Sequence, residues 1–99
     1  MIVVTKEPGK DPNVTTITND LEGIQKAVGG FFEVVRFWDN IVLVCNDNGK
    51  FEGLPYNFTF YDDDIVGPVF FCGEKLGPDG GEFCSLKADQ IRRVLEAFA

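Results

Sequence analysis

No histidine occurs among the 99 residues. That removes the usual catalytic triads, the histidine-bearing zinc sites and the commonest general base. Long apolar runs are missing too. Ile41 to Cys45 and Val69 to Cys72 are the longest, far short of the roughly 20 residues that cross a bilayer, and no basic stretch followed by an apolar one opens the chain. The expectation is a protein that neither spans a membrane nor is secreted. Basic residues are scarce, nine against sixteen acidic ones for a formal charge of −7, and such a field repels nucleic acid and anionic membranes. Direct nucleic-acid binding is therefore not expected. Cysteine is limited to Cys45, Cys72 and Cys84. An odd number at wide spacing is no disulfide framework, and Cys45 and Cys72 end apolar runs, where a thiol behaves as a small buried hydrophobe. Core thiols imply a reducing cytoplasm, in which the sequons Asn13-Val14-Thr15 and Asn57-Phe58-Thr59 have no meaning as glycosylation sites. A reactive thiol needs a neighbouring base or cation, and Lys87, after Cys84, is no more than a distant candidate for one.

What the chain does have is apolar bulk. Hydrophobic residues make up 44% and ten are phenylalanine, enough for one domain over residues 1–99 to bury about 60 to 70% of its unfolded surface. Met1 to Thr5 is β-branched and reads as a strand, followed by a loop punctuated by Pro8-Gly9 and Asp11-Pro12 and a second short strand at Val14 to Ile17. Asn19, with Glu22 three residues on, reads as the cap of a helix from Asp20 to Val28, with Leu21, Ile24 and Val28 on one face. Gly29-Gly30 ends it, since glycine accepts the left-handed conformation of a helix C-terminus. Phe31 to Trp38 and Ile41 to Cys45 read as strands joined by a tight turn at Asp39-Asn40. The turn signal Asn46-Asp47-Asn48-Gly49 then predicts a third meander strand at Lys50 to Glu52. Gly53 to Tyr61, interrupted by Pro55, reads as a loop or helical turn. Ile65 to Cys72 reads as a buried strand disturbed at Gly67-Pro68, Gly77 to Gly81 as a flexible turn, and Ser85 as the cap of a helix carrying Ile91, Val94, Leu95 and Phe98 on one face. The expected class is α+β: a largely antiparallel sheet of four to five strands with two helices on one face.

Few constellations carry chemistry. Asp62-Asp63-Asp64 offers carboxylates for calcium or magnesium but lacks the alternating ligands and terminal glutamate of a calcium loop, so it reads as partner contact or solvated surface. Asn46 to Gly49 is what a turn needs to reach positive backbone angles. Gly29-Gly30 follows a helix and precedes a strand, the reverse of a dinucleotide fingerprint. Trp38, Tyr56, Phe58, Phe60 and Tyr61 form an aromatic concentration that serves either as core or, if exposed, as a stacking platform or protein anchor. Arg92 and Arg93 read as a solvated helix face.

Glu7-Pro8-Gly9-Lys10, Leu21, Val28-Gly29-Gly30-Phe31-Phe32-Glu33, Asn46-Asp47-Asn48-Gly49-Lys50, Gly53-Leu54-Pro55-Tyr56-Asn57 and Ile65-Val66-Gly67-Pro68-Val69 form an ordered series. In this series the chain resembles the small proteins catalogued as domain of unknown function 3846, over about its first three quarters. The resemblance implies origin in bacteriophages, plasmids and integrated mobile elements. It implies no activity and no catalytic residue.

Three functions compete. The first is a non-enzymatic binding protein that engages, and inhibits, a bacterial host protein with a basic surface, such as a nuclease, CRISPR or restriction system. Its contacts would be Asp62, Asp63 and Asp64 with Tyr61 as anchor, association being accelerated by charge. The second is an oligomer that sequesters a small ligand or nucleotide signal, using Glu33, Asn46, Asn57 and Tyr56 with Lys10, Arg36 and Lys50 as donors. Against it, Glu33 also fits a solvent-facing strand position, and asparagines commonly satisfy local backbone. The third is a two-carboxylate or metal-assisted enzyme, for which a buried Glu33 facing another acid would be the sign. No catalytic residue, bound metal or cofactor is expected, and the location expected is the cytoplasm of a bacterial host.

Overall fold

The computed structural model describes residues 1–78 and 80–99. Asp79, inside the expected 77–81 turn, lies outside the described residues. Strands β1 (Ile2–Lys6) and β2 (Asn13–Thr16) pair antiparallel, and β1 also pairs with β7 (Val69–Gly77). Strand β7 pairs on its other side with β4 (Ile41–Asn46), and β4 pairs with β3 (Phe32–Trp38). The resulting order is β2-β1-β7-β4-β3. The far half of β7 folds back on β8 (Gly80–Cys84), making six strands in this sheet. A separate two-stranded sheet is formed by β5 (Tyr56–Phe60) and β6 (Asp63–Val66).

All six residues of β4 are buried, with no alternation. Such a strand must be covered on both faces, and the two layers of core show by what. Val4, Ile41, Leu43, Cys45 and Phe71 face helix α2 (Ala88–Ala97) and the β5–β6 hairpin, where Val94, Ile65 and Phe58 meet them. Val3, Val42, Val44, Phe70 and Cys72 face helix α1 (Leu21–Val28) through Ile24 and Val28. The α+β class holds, but the helices lie on opposite faces of a sheet larger than expected. The continuous apolar runs of β4 and of Val69 to Cys72 already carried that information, because a strand with one solvated face alternates.

Other corrections are local. The α1 cap is Asp20, which accepts from the Gly23 N–H at 2.7 Å, while Asn19 donates to the Phe83 carbonyl. Leu21 is 63% exposed and leaves Ile24 and Val28 to pack. Gly29 does end the helix, at φ 82°. Residues 50–52 form turns, with Glu52 N–H donating to Asn48 O at 2.8 Å and Leu54 N–H to Gly49 O at 2.9 Å. The meander therefore stops after two strands, and the next strand is β5, which Pro55 precedes rather than interrupts. The expected run Ile65 to Cys72 is two strands broken at Gly67 (φ 74°), whose N–H donates to Pro55 O. Ser85 does not cap α2: its hydroxyl accepts from Ile2 N–H, and Gln90 reaches back to the Lys87 N–H at the helix start. Gly77 pairs with Gly80, so β8 begins inside the segment expected to be a turn. No helix among the described residues is long and apolar enough to cross a membrane.

Candidate functional site

The start of β3, the end of β4, the turn after it and β6 enclose a cleft of about 240 Å³. Register explains how it forms. Glu33 pairs with Cys45, and both point to the face that the β5–β6 hairpin covers, so Glu33 meets Asp63 and Asp64 arriving on β6. Asn46 holds the floor: its amide donates to the Val28 carbonyl at the end of α1, and its Oδ1 accepts from Asn48 N–H at 2.8 Å. A Cβ on Gly30 would stand 3.3 Å from that amide nitrogen, and one on Gly49 2.8 Å from Val66, which is why small residues occupy both places. The turn brings in Asp47, Lys50 and Phe51.

Four carboxylates thus line one opening: Glu33, Asp47, Asp63 and Asp64. Lys50 answers one of them, pairing with Asp63 at 2.5 Å, and that hydrogen bond raises the ammonium above its ordinary range. Asp64 accepts from the Thr59 hydroxyl at 3.0 Å. A hydroxyl has one proton to give, so Thr59 accepts in turn from Tyr56 Oη at 2.7 Å. Beneath the acids lies Cys45, its sulfur 3.6 Å from Glu33 Oε1. Burial, then the Glu33 charge, pushes this thiol up to about 12. Burial likewise pushes Cys72 up to about 12, with Cys84 and Glu74 adding to it. Both remain thiols at neutral pH and neither is an activated nucleophile.

An exposed apolar side chain stands among the acids. Phe51, on the turn, is 94% exposed, and Phe31, whose carbonyl accepts from Asp47 N–H, is 71% exposed. Neither was singled out as a contact from sequence, although a phenylalanine directly after a turn signal, in a segment that proves not to be a strand, has no core to enter.

Of the residues expected to form a site, Glu33, Asn46, Asp63 and Asp64 meet here, and Tyr56 touches the rim through Thr59. Asn46 serves the backbone. Asn57 is elsewhere and buried: it accepts from the Lys6 ammonium at 3.0 Å and donates to Lys6 O and Gly67 O at 2.8 Å each, clamping β5 to β1. Asp62 and Tyr61 form the hairpin turn, outside the cleft. Tyr61, at φ 53° and 83% exposed, packs edge-on against Phe60 and lines a groove with Trp38 and Phe98. Phe58 and Phe60 pack inward on Phe71 and Phe37, so two of the alternating aromatics are core and Tyr56 is not. Lys10, Arg36 and Lys50 are dispersed and already paired, with Glu7, Glu74 and Asp63. Glu33 is exposed rather than buried, and among the described residues no three acidic, cysteine or histidine side chains converge as metal ligands do.

A second cleft, of about 490 Å³, opens at the other end of the β3–β4 ladder, between Trp38 and α2. Arg93, expected to be merely solvated, lies with its guanidinium 4.3 Å over the Trp38 ring.

The chain belongs to the family described as Domain of unknown function (DUF3846), whose model matches residues 1–99, the whole chain rather than its first three quarters. Comparison with curated proteins and with solved structures finds no match.

Proposed function

We propose that this chain is a non-enzymatic binding protein that docks on a basic surface of another protein through the acidic cleft at the Glu33 end of the sheet. The observation that carries this reading is the placement of Phe51, an almost fully exposed aromatic, among four carboxylates that three separate segments of the chain bring to one opening, with exposed Phe31 tied by its carbonyl to the Asp47 N–H of the same turn. Aromatic anchors framed by charge are the usual anatomy of an energetic centre in a protein interface. The −7 charge would steer a basic partner toward the opening. Mobile-element origin, implied by the sequence resemblance, makes a bacterial host protein the partner and inhibition by occupancy the outcome, in the cytoplasm of that host. A surface built to hold nucleic acid is basic in the required way, so a defence nuclease or restriction system is the favoured class.

The proposed contacts overlap those expected from sequence. Asp63 and Asp64 stay, Glu33, Asp47, Phe31 and Phe51 join them, and Asp62 and Tyr61 become peripheral. In co-purification from lysate of a bacterial host, wild type should retain one protein at fixed stoichiometry, and Asp63→Asn/Asp64→Asn and Phe51→Ala should each lose it. Retention of the same protein by both variants would contradict the proposal.

A further inference from the structure

We infer that the cleft between Trp38 and α2 is a binding site for a nucleotide, a planar heteroaromatic ring carrying phosphate. The chain has nine basic residues. Lys10, Arg36 and Lys50 are in ion pairs, and Lys6 is buried on Asn57 and the Glu7 carbonyl. Of the remaining five, Lys87, Arg92 and Arg93 line this one cleft, and among the described residues none of them forms an ion pair. Three cations without ion pairs thus gather in one cleft of an acidic chain, where a phosphate can use them.

The second half of the ligand is specified by Trp38. Its indole keeps 48% of its surface exposed with Arg93 stacked on it, which leaves room for a base to stack on the indole or against the guanidinium. The cleft volume of about 490 Å³ suits a ligand of nucleotide size. Asp39, Asp89 and Glu96 line the same walls. Bare phosphate would be repelled by them, whereas a nucleotide brings ribose hydroxyls and ring amines that carboxylates accept from. The mixed charge of the lining therefore selects a ligand with both an anionic group and donors. This site shares no residue with the acidic cleft and does not depend on its role.

Trp38 is the only tryptophan, so its fluorescence reports on the site directly. Wild type would be titrated with AMP, ADP, ATP, adenosine and inorganic phosphate, and binding checked by calorimetry. Saturable quenching by the nucleotides is expected, with adenosine and phosphate each at least tenfold weaker. Arg92→Ala and Arg93→Ala, both at exposed positions, should weaken nucleotide binding tenfold or more with an unchanged melting temperature, and Asp63→Asn should leave it unchanged. No saturable response to any nucleotide at millimolar concentration would overturn the inference, as would phosphate binding as tightly as the nucleotides. Concentration-dependent self-association abolished by the same arginine substitutions, with no nucleotide effect, would assign the cleft to the acidic end of a second copy and overturn it equally.

Discussion

The two ends of the β3–β4 ladder share a scaffold and differ in almost everything else. At one end, Glu33 sits opposite Cys45 under a loop and a hairpin that bring further carboxylates. At the other, Trp38 sits opposite Ile41 beneath α2 and its arginines. Glu33 and Trp38 stand only five positions apart on β3, roughly 16 Å of strand at about 3.3 Å per residue. A net charge of −7 describes neither end. Folding distributes the charge unevenly: the acidic cleft sets four carboxylates against Lys50, which is paired with Asp63, whereas the other cleft balances Asp39, Asp89 and Glu96 with Lys87, Arg92 and Arg93, none of which forms an ion pair among the described residues. Charge totals thus predict what the whole surface repels, while local function depends on which charges are left without partners.

What the two ends share is the core beneath them, and its loss should be felt most. Phe71 is fully buried and touches Phe37, Phe58 and Phe98, so it supports the hairpin and the C-terminus of α2 together. Phe71→Ala should cost about 3–5 kcal/mol of stability in denaturant unfolding. Asn57→Ala should cost about 3 kcal/mol, because the carbonyls of Lys6 and Gly67 lose their donor and the Lys6 ammonium keeps only the Glu7 carbonyl. This change loosens the hairpin from β1. Partner capture at the acidic end should therefore suffer more than the Arg93–Trp38 stack, as followed by Trp38 fluorescence.

Two smaller effects sharpen the contrast through the thiols. Cys45 and Cys72 are held near 12 in the fold against an ordinary value of 9.0. Above pH 9 the unfolded chain releases these protons and the folded chain keeps them, so the unfolded state binds fewer protons and stability falls as pH rises toward 12. Below pH 9 neither thiol contributes. Urea melts between pH 8 and 11 should show the decline, at a slope approaching about 1.4 kcal/mol per pH unit for each thiol, and Cys45→Ala should reduce it. Glu33→Gln should have the smallest effect. Since burial outweighs the Glu33 charge at Cys45, alkylation of Cys45 at pH 9 should accelerate only about two- to fivefold, with Cys72 unchanged in the same digest.

Sequence periodicity located most of the main sheet and both helices, because helical spacing at Ile24 and Val28 or at Ile91, Val94 and Leu95 is a local property. The two-faced cover of β4 is legible as well, in its lack of alternation. Residues 50–52 misled because Lys-Phe-Glu alternates like a strand, yet Gly49 and Leu54 close a turn around it. At the site, Glu33, Asp63 and Asp64 were recognisable as acids without a packing duty. That they meet depends on the register of Glu33 with Cys45 and on the separate hairpin, neither of which a single sequence specifies. The arginine-covered tryptophan was hidden for the same reason: Trp38 and Arg93 stand 55 positions apart, and only the packing of α2 across β3 and β4 brings them together.

Whether the acidic end docks a partner independently of the other end can be read from co-purification from host lysate with three proteins in parallel: wild type, Asp63→Asn/Asp64→Asn and Arg92→Ala/Arg93→Ala. One stoichiometric protein retained by wild type and by the arginine variant but lost from the aspartate variant is the result expected here. Retention by the aspartate variant, or loss from the arginine variant alone, would contradict it.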